Sequence, residues 1–391
     1  MRCTKSAHTA CELYRPWITP SNPSSDECVR CVGQHVVMAT FSLPISYGAA
    51  RAGFLATAAN VGARASSFVH PLTGLRDEEL AVDVAELGPD DAEHVVLIVS
   101  GTHGVEGYCG SALQHQWLGH WSGGRPRNTR VVLVHALNPY GFSWQRRVNE
   151  DNVDLNRNFV DWTQPVPANA GYDQIADLLV PAEWTGAEQQ RTTDALLGLA
   201  DEWGFPKLQE AITGGQYAHA KGVFYGGTEP VWSHRWLRSW CAEHLGAARQ
   251  VDIIDLHTGL GPWGVGELIA SAGSGDAMYE RAKALWPDTR SMMDGDSVSA
   301  VLAGDWLAVA DQLAPHAEVT PICIEYGTVD PITALQALRA DAWLHGYGDP
   351  KGGEAAAIRN QTLAAFADDD PKWIAACWER FQQVLLPALY R

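Results

Sequence analysis

Four short apolar runs set the rhythm of the chain: EHVVLIVS (93–100), RVVLVHALNP (130–139), QVDIIDLHTG (250–259) and EVTPICIEYG (318–327). Each is apolar at consecutive rather than alternate positions, the pattern of a strand buried on both faces. Each ends in polar residues. Between them the period turns helical: SYGAARAGFLATAANV (46–61), Cys109 to Trp121 and Ala187 to Trp203 carry apolar residues three and four apart, and Pro371 to Tyr390 closes the chain with an amphipathic helix. Such alternation predicts an α/β fold: a mixed, largely parallel twisted sheet with helices on both faces. Residues 160 to 245 break the rhythm and end in the Gly- and aromatic-rich segment GGQYAHAKGVFYGGTEPVWS (214–233), read as an insertion or lid. Residues 1 to 37 show neither period and are read as an irregular extension, with Met38 as the expected start of a single catalytic domain over 38–391.

Composition narrows the function classes. The 391 residues, 46% of them hydrophobic, suffice for one large core. With 28 basic against 46 acidic residues the net charge is −18, which opposes binding to nucleic acid or anionic membranes. No apolar run is long enough to span a bilayer, and the segment from Val36 to Ala59 lacks a basic leader beside a compact apolar core, so the expected location is cytoplasmic. Cys3, Cys11, Cys28 and Cys31 crowd the first residues and include one CVRC pair, whose second half as a metal or redox site would have to come from irregular spacing. Cys109, Cys241, Cys323 and Cys377 are scattered and read as reduced thiols. Nothing in composition addresses oligomeric state.

The strand exits carry the candidate chemistry. HGVE places His103 and Glu106 three apart in a Gly-rich loop that follows a strand, where both can turn onto one ion. Imidazole and carboxylate suit zinc, and a catalytic zinc takes three protein ligands and leaves a position open for water. His257, at the end of VDIIDLH, is the candidate third ligand, and Asp255 two residues earlier faces the same side and can steer it. Taken singly, an HxxE pair occurs by chance and such histidines commonly cap loops. Amide hydrolysis also needs a base, and Glu325 ends the apolar run PICIEYG, where partial burial raises a carboxyl pKa. A surface ion pair is the commoner fate of a lone Glu. The stretch LNPYGFSWQRRVNEDNVDLNRNF (137–159) is dense in donors, with Arg146, Arg147, Asn149, Asn152, Asn156, Arg157 and Asn158, as expected of groups aimed at an anion.

In order along the chain, HxxE, NPxG, RxN, DLNRNF, a strand-end DLH and a strand-end Glu resemble the zinc carboxypeptidase superfamily, which includes the aspartoacylase and succinylglutamate desuccinylase amidohydrolases, over roughly residues 90 to 330. The resemblance implies a zinc-carboxypeptidase-like fold and one Zn2+ ion on His103, Glu106 and His257, with Glu325 as general base and acid. Arg147 matches the Arg that steadies the oxyanion, and Asn156 and Arg157 match the pair that holds the substrate's carboxylate. GTHGVEG and the 214–233 segment are most similar to a bacterial branch of the superfamily. No clear counterpart of the mobile substrate-covering Tyr lies between His257 and Glu325, where Tyr279 is the one tyrosine. Tyr217, His219 and Tyr225 are expected either to line the pocket or to pack a rigid loop. The implied activity is hydrolysis of an amide beside a free carboxylate: removal of a C-terminal residue from a small peptide, or deacylation of an N-acyl amino acid. A binding protein without turnover is the third reading, opposed by the intact ligand set.

Overall fold

The four apolar runs form strands because each has two faces to bury. The computed structural model describes residues 41–121 and 128–391; the expectations for residues 1–37 and their cysteines lie outside this range. Helix α1 (Tyr47–Asn60) begins at Ser46, whose hydroxyl accepts from the Ala49 amide. It precedes strands β1 (Arg64–Thr73), β2 (Glu79–Leu87) and β3 (His94–Ser100). Helix α2 (Gly107–Gly119), strand β4 (Thr129–His135) and the short helix α3 (Pro139–Trp144) follow. Next come α4 (Ala170–Leu179), α5 (Gly186–Trp203), α6 (Phe205–Thr213) and α7 (Trp232–His244). Then β5 (Gln250–Gly259), β6 (Gly266–Ala270), α8 (Ala277–Leu285), β7 (Arg290–Ser291) and β8 (Glu318–Gly327) complete the strands. Helices α9 (Pro331–Gly346), α10 (Ala355–Phe366) and α11 (Pro371–Leu389) close the chain.

Among the described residues the strands make one eight-stranded mixed sheet, ordered β1-β2-β4-β3-β5-β8-β6-β7. The centre, β4-β3-β5-β8, is parallel; β1 with β2, β2 with β4 and β6 with β8 pair antiparallel, and the short β7 runs parallel to β6. Residue parity divides the core. Val96, Ile98, Ile254, Leu256, Ile322 and Ile324 pack on one face with α1, α2 and α11. Val95, Leu97, Val99, Val251, Ile253 and Val319 pack on the other with Leu237, Trp240 and Cys241 of α7. Consecutive residues therefore bury on opposite sides, which explains the unbroken apolar runs. Helix α7, in the stretch read as an insertion or lid, thus belongs to the sheet's own core.

The antiparallel strands β1 and β2 are among those without a sequence signal. RASSFVHPLT of β1 is mostly exposed at the sheet edge and has no apolar alternation to betray it. ELAVDVAEL of β2 is almost wholly buried but carries Asp83, whose carboxylate is satisfied by Arg51 Nε at 2.8 Å and by the Ser67 hydroxyl. Cys109, Cys241 and Cys377 are buried thiols and Cys323 is half-buried. Among the described residues no helix is long and apolar enough to cross a membrane.

Arg146 joins the loop after α3 to α9. Its Nε lies 3.0 Å from Asp341 Oδ2, with both side chains almost completely buried. Removing one partner strands the other charge out of water. Asp341→Ala is expected to cost about 3–5 kcal/mol of folding stability, read as a lowered urea midpoint at unchanged slope.

Candidate metal centre

Parallel register brings two strand exits together. His257 on β5 is the direct partner of Glu325 on β8, and Asp255 pairs with Cys323 two residues earlier. Side chains two apart share a face, so Asp255, His257 and Glu325 all project from the α7 side of the sheet. The third exit, after β3, turns through His103 into a single helical turn at Gly104–Glu106. Backbone pins this turn: the amides of Gly104 and Val105 donate to the carbonyls of Arg147 and Arg146, at 3.1 and 2.7 Å. A Cβ at Gly104 would collide with the Gly141 backbone, so only glycine lets the two loops approach this closely.

The result is a buried cluster of three ligand-type side chains. His103 Nδ1 lies 2.9 Å from Glu106 Oε1, His257 Nδ1 lies 2.9 Å from Glu106 Oε2, and the two Nδ1 atoms are 3.2 Å apart. His103, Glu106 and His257 are each at most 3% exposed. Both outer nitrogens face carboxylates: His257 Nε2 is 2.7 Å from Asp255 Oδ2, and His103 Nε2 is 3.1 Å from Asp154 Oδ1. Donation of Nε2–H to those carboxylates leaves both Nδ1 lone pairs, with the Glu106 oxygens, pointing at one another. Converging lone pairs repel unless a cation sits among them. Separations of 2.9–3.2 Å are a little shorter than the roughly 3.3–3.6 Å edges of a tetrahedron with zinc bonds of about 2.0–2.2 Å to nitrogen and oxygen, so a small outward shift of the side chains fits that ion.

Further partners hold the carboxylates in place. Asp255 also accepts from the Thr102 hydroxyl at 2.8 Å and the Trp306 indole at 2.7 Å. Asp154 accepts from Arg147 Nε at 2.9 Å, and Arg147 Nη1 lies 3.0 Å from Glu106 Oε1. Burial works against the Asp154 charge, but Arg147 and His103 outweigh it and hold the carboxyl well below its ordinary range. Asp154, Thr102 and Trp306 escaped sequence reasoning. The Asp opens DLNRNF, yet its pairing with His103 spans 51 residues and has no local spacing to signal it.

Glu325 lies on the wall of a cavity of about 260 Å³ that His103, His257, Arg147, Asn156 and Arg157 also line. Its Oε1 accepts from the Leu260 amide at 2.8 Å. Loss of hydration, then the nearby Glu106 charge, pushes its carboxyl up to about 7. Arg157 donates to the Thr213 and Asn156 carbonyls, leaving two of its five N–H groups uncommitted. Asn156 Oδ1 is buried with no hydrogen-bond partner among the described residues. An orphaned buried amide beside an incompletely used guanidinium is a place for a polar ligand.

Other donors of 137–159 are spent on structure, contrary to the expectation that all face an anion. Arg146 binds Asp341, Asn149 accepts from the amides of Asp151 and Val153, and Asn158 bridges Gly226, Glu229, Val231 and His234. Tyr217 and Tyr225 lie outside the cavity lining. The Tyr217 hydroxyl donates to the Arg157 carbonyl at 2.7 Å, and Tyr225 packs in the core beneath the loop, so both brace the Arg157 segment. His219 turns away to Asp173.

A buried His–Glu–His cluster at the carboxyl ends of parallel strands defines an α/β protein with a candidate cation site. The chain belongs to the family described as "Protein of unknown function (DUF2817)", whose model matches residues 43–380. No curated protein matches it. Among solved structures it is similar to carboxypeptidase A from Helicoverpa armigera (13% identity, 82% of this chain and 73% of that one covered, TM-score 0.43). It is also similar to an aspartoacylase family protein from Mesorhizobium loti (16% identity, 74% and 68% covered, TM-score 0.34) and a succinylglutamate desuccinylase from Silicibacter sp. (12% identity, 73% and 67% covered, TM-score 0.37). What the site can do is read from its own side chains.

Because Asp154 orients His103, Asp154→Asn is expected to weaken zinc binding about 10- to 100-fold, measured by competition with a chromogenic chelator.

Proposed function

We propose that the protein is a zinc-dependent hydrolase that cleaves an amide bond beside a free carboxylate. The supporting observation is the shared cavity: His103 and His257 of the buried His–Glu–His cluster, the Glu325 carboxyl of raised pKa, Arg157 with spare N–H groups and Asn156 with an unpartnered Oδ1 line one space. His103, Glu106 and His257 would hold a zinc ion, which when bound would supply Lewis acidity to the scissile carbonyl and to water. Asp154 and Asp255 keep the two imidazoles in the tautomer that offers Nδ1.

Glu325 acts as the proton carrier. With its carboxyl near neutral pH it takes a proton from the attacking water and returns it to the departing nitrogen, so one group serves as base and then acid. Arg147 has two N–H groups engaged by Asp154 and Glu106, and its remaining donors are available to the oxygen on which negative charge develops. The spare Arg157 N–H groups and the Asn156 Nδ2–H donate to the substrate's free carboxylate, whose charge also offsets the burial of the guanidinium, while the Asn156 Oδ1 is left to accept from a donor of the substrate. This division of labour suits both a small peptide and an N-acyl amino acid, since the two share the amide and the carboxylate.

Glu325→Gln removes the proton carrier while keeping size and shape. It is expected to lower kcat at least about 100-fold with zinc content unchanged, measured by turnover assay and elemental analysis on the same sample. Full activity in that variant overturns the assignment. Arg157→Ala is expected to raise KM for carboxylate substrates and to leave their amidated analogues nearly unaffected; equal losses on both place the carboxylate elsewhere.

A further inference from the structure

The wall facing the polar groups is unlike them. Helices α5 and α6 present Leu196, Ala200, Leu208 and Ile212 to the cavity, and α9 presents Leu335 and Leu338. The apolar lining continues to the mouth, where Leu197, Phe205 and Ile332 are 47%, 56% and 48% exposed. Large apolar side chains left in water at the rim of a cavity mark the path of an apolar ligand.

Of the polar side chains that α5, α6 and α9 present here, Thr193, Thr213 and Gln336 are already committed, and Gln209 alone keeps its amide free. The Thr193 hydroxyl donates to the Gln189 carbonyl and accepts from Gln336, the Gln336 carbonyl oxygen accepts from Arg339, and the Thr213 hydroxyl donates to the Gln209 carbonyl. Asp305 reaches the cavity with both oxygens engaged, by the Ser271 hydroxyl and the Leu307 amide. A peptide running along this wall would bury N–H and C=O groups without partners, each at a cost comparable to a lost hydrogen bond. An alkyl chain has no such groups.

We propose that the substrate is an N-acyl amino acid with a long aliphatic acyl chain, its carboxylate at Arg157 and Asn156 and its chain along the α5, α6 and α9 wall. This identification of the substrate rests on the hydrolase reading above. Hydrolysis breaks the carbonyl C–N bond and adds the water oxygen to the acyl carbon. The amino acid nitrogen receives a proton, and a fatty carboxylate and a free amino acid leave. The reaction that supplies the substrate is therefore an N-acylation of an amino acid by an activated fatty acid.

The test separates binding from turnover. Zinc-loaded Glu325→Gln protein is titrated calorimetrically with N-acetyl-, N-octanoyl- and N-palmitoylglycine and with a tripeptide ending in phenylalanine, while the wild type is assayed for hydrolysis of the same compounds. Affinity is expected to rise by up to about fourfold per added methylene until the cavity is filled. Leu197→Ser and Phe205→Ser, at exposed rim positions that leave the core intact, are expected to flatten that rise, and the buried Leu208→Gln to flatten it further. Equal affinity for the acetyl and octanoyl compounds, or tighter binding of the tripeptide than of N-octanoylglycine, overturns the proposal. Chain-length-dependent binding without any hydrolysis by the zinc-loaded wild type overturns the hydrolase reading and leaves the acyl-chain site standing. Hydrolysis of N-acetylglycine and N-octanoylglycine at equal kcat/KM does the reverse.

Discussion

Ionisable side chains taken out of water must be paired, and the centre of this molecule is organised around that requirement. His103, Glu106, Asp154, Asp255 and His257 are all nearly inaccessible, and Arg147 is only partly exposed. They form a closed set: Asp255 to His257, His257 to Glu106, Glu106 to Arg147, Arg147 to Asp154, and Asp154 to His103. Two imidazole nitrogens and the Glu106 carboxylate face one another at the centre of the set, within reach of a single ion. The same pairings that make the burial tolerable hold these three groups in place.

The sheet supplies the rigidity that such a cluster needs. Register between β5 and β8 places His257 opposite Glu325 without any loop to adjust, and the β3 exit is tied by backbone hydrogen bonds to Arg146 and Arg147. Arg146 in turn anchors that segment to α9 through Asp341, and α9 also forms part of the apolar cavity wall. Polar and apolar parts of the cavity thus hang on one framework. On one side lie titratable and polar groups; on the other, a mostly apolar surface. The two sides come from different elements, strand exits and the segment around Asn156 and Arg157 for the first and helices for the second.

Much of this was legible along the chain. The four central strands announce themselves because a strand buried on both faces needs consecutive apolar residues, and His103, Glu106, His257, Asp255 and Glu325 stand out as polar residues at the ends of such runs. Local spacing suffices there, since His103 and Glu106 share one turn and Asp255 and His257 one strand face. The edge strand β1 and its neighbour β2 were not legible, because β1 is largely solvated and β2 hides a buried charge among its apolar residues.

What the chain's order could not convey is partnership at a distance. Arg146 and Arg157 look alike in QRRVNEDNVDLNRN, yet one is consumed by Asp341, 195 positions away, while the other keeps donors free at the cavity. Tyr217 and Tyr225 look like pocket aromatics, yet they support the Arg157 segment from behind. Asp154, the second carboxylate of the histidine pair, and the helical wall opposite the polar groups emerge only when segments far apart in sequence meet. The sequence by itself determined the strand core and the positions of His103, Glu106, His257 and Glu325 at or just after the ends of its strands, because periodicity and short spacing encode them. Tertiary structure decided which donors remain available and what surface they face, because hydrogen-bond partners are assigned by packing between elements and not by position along the chain.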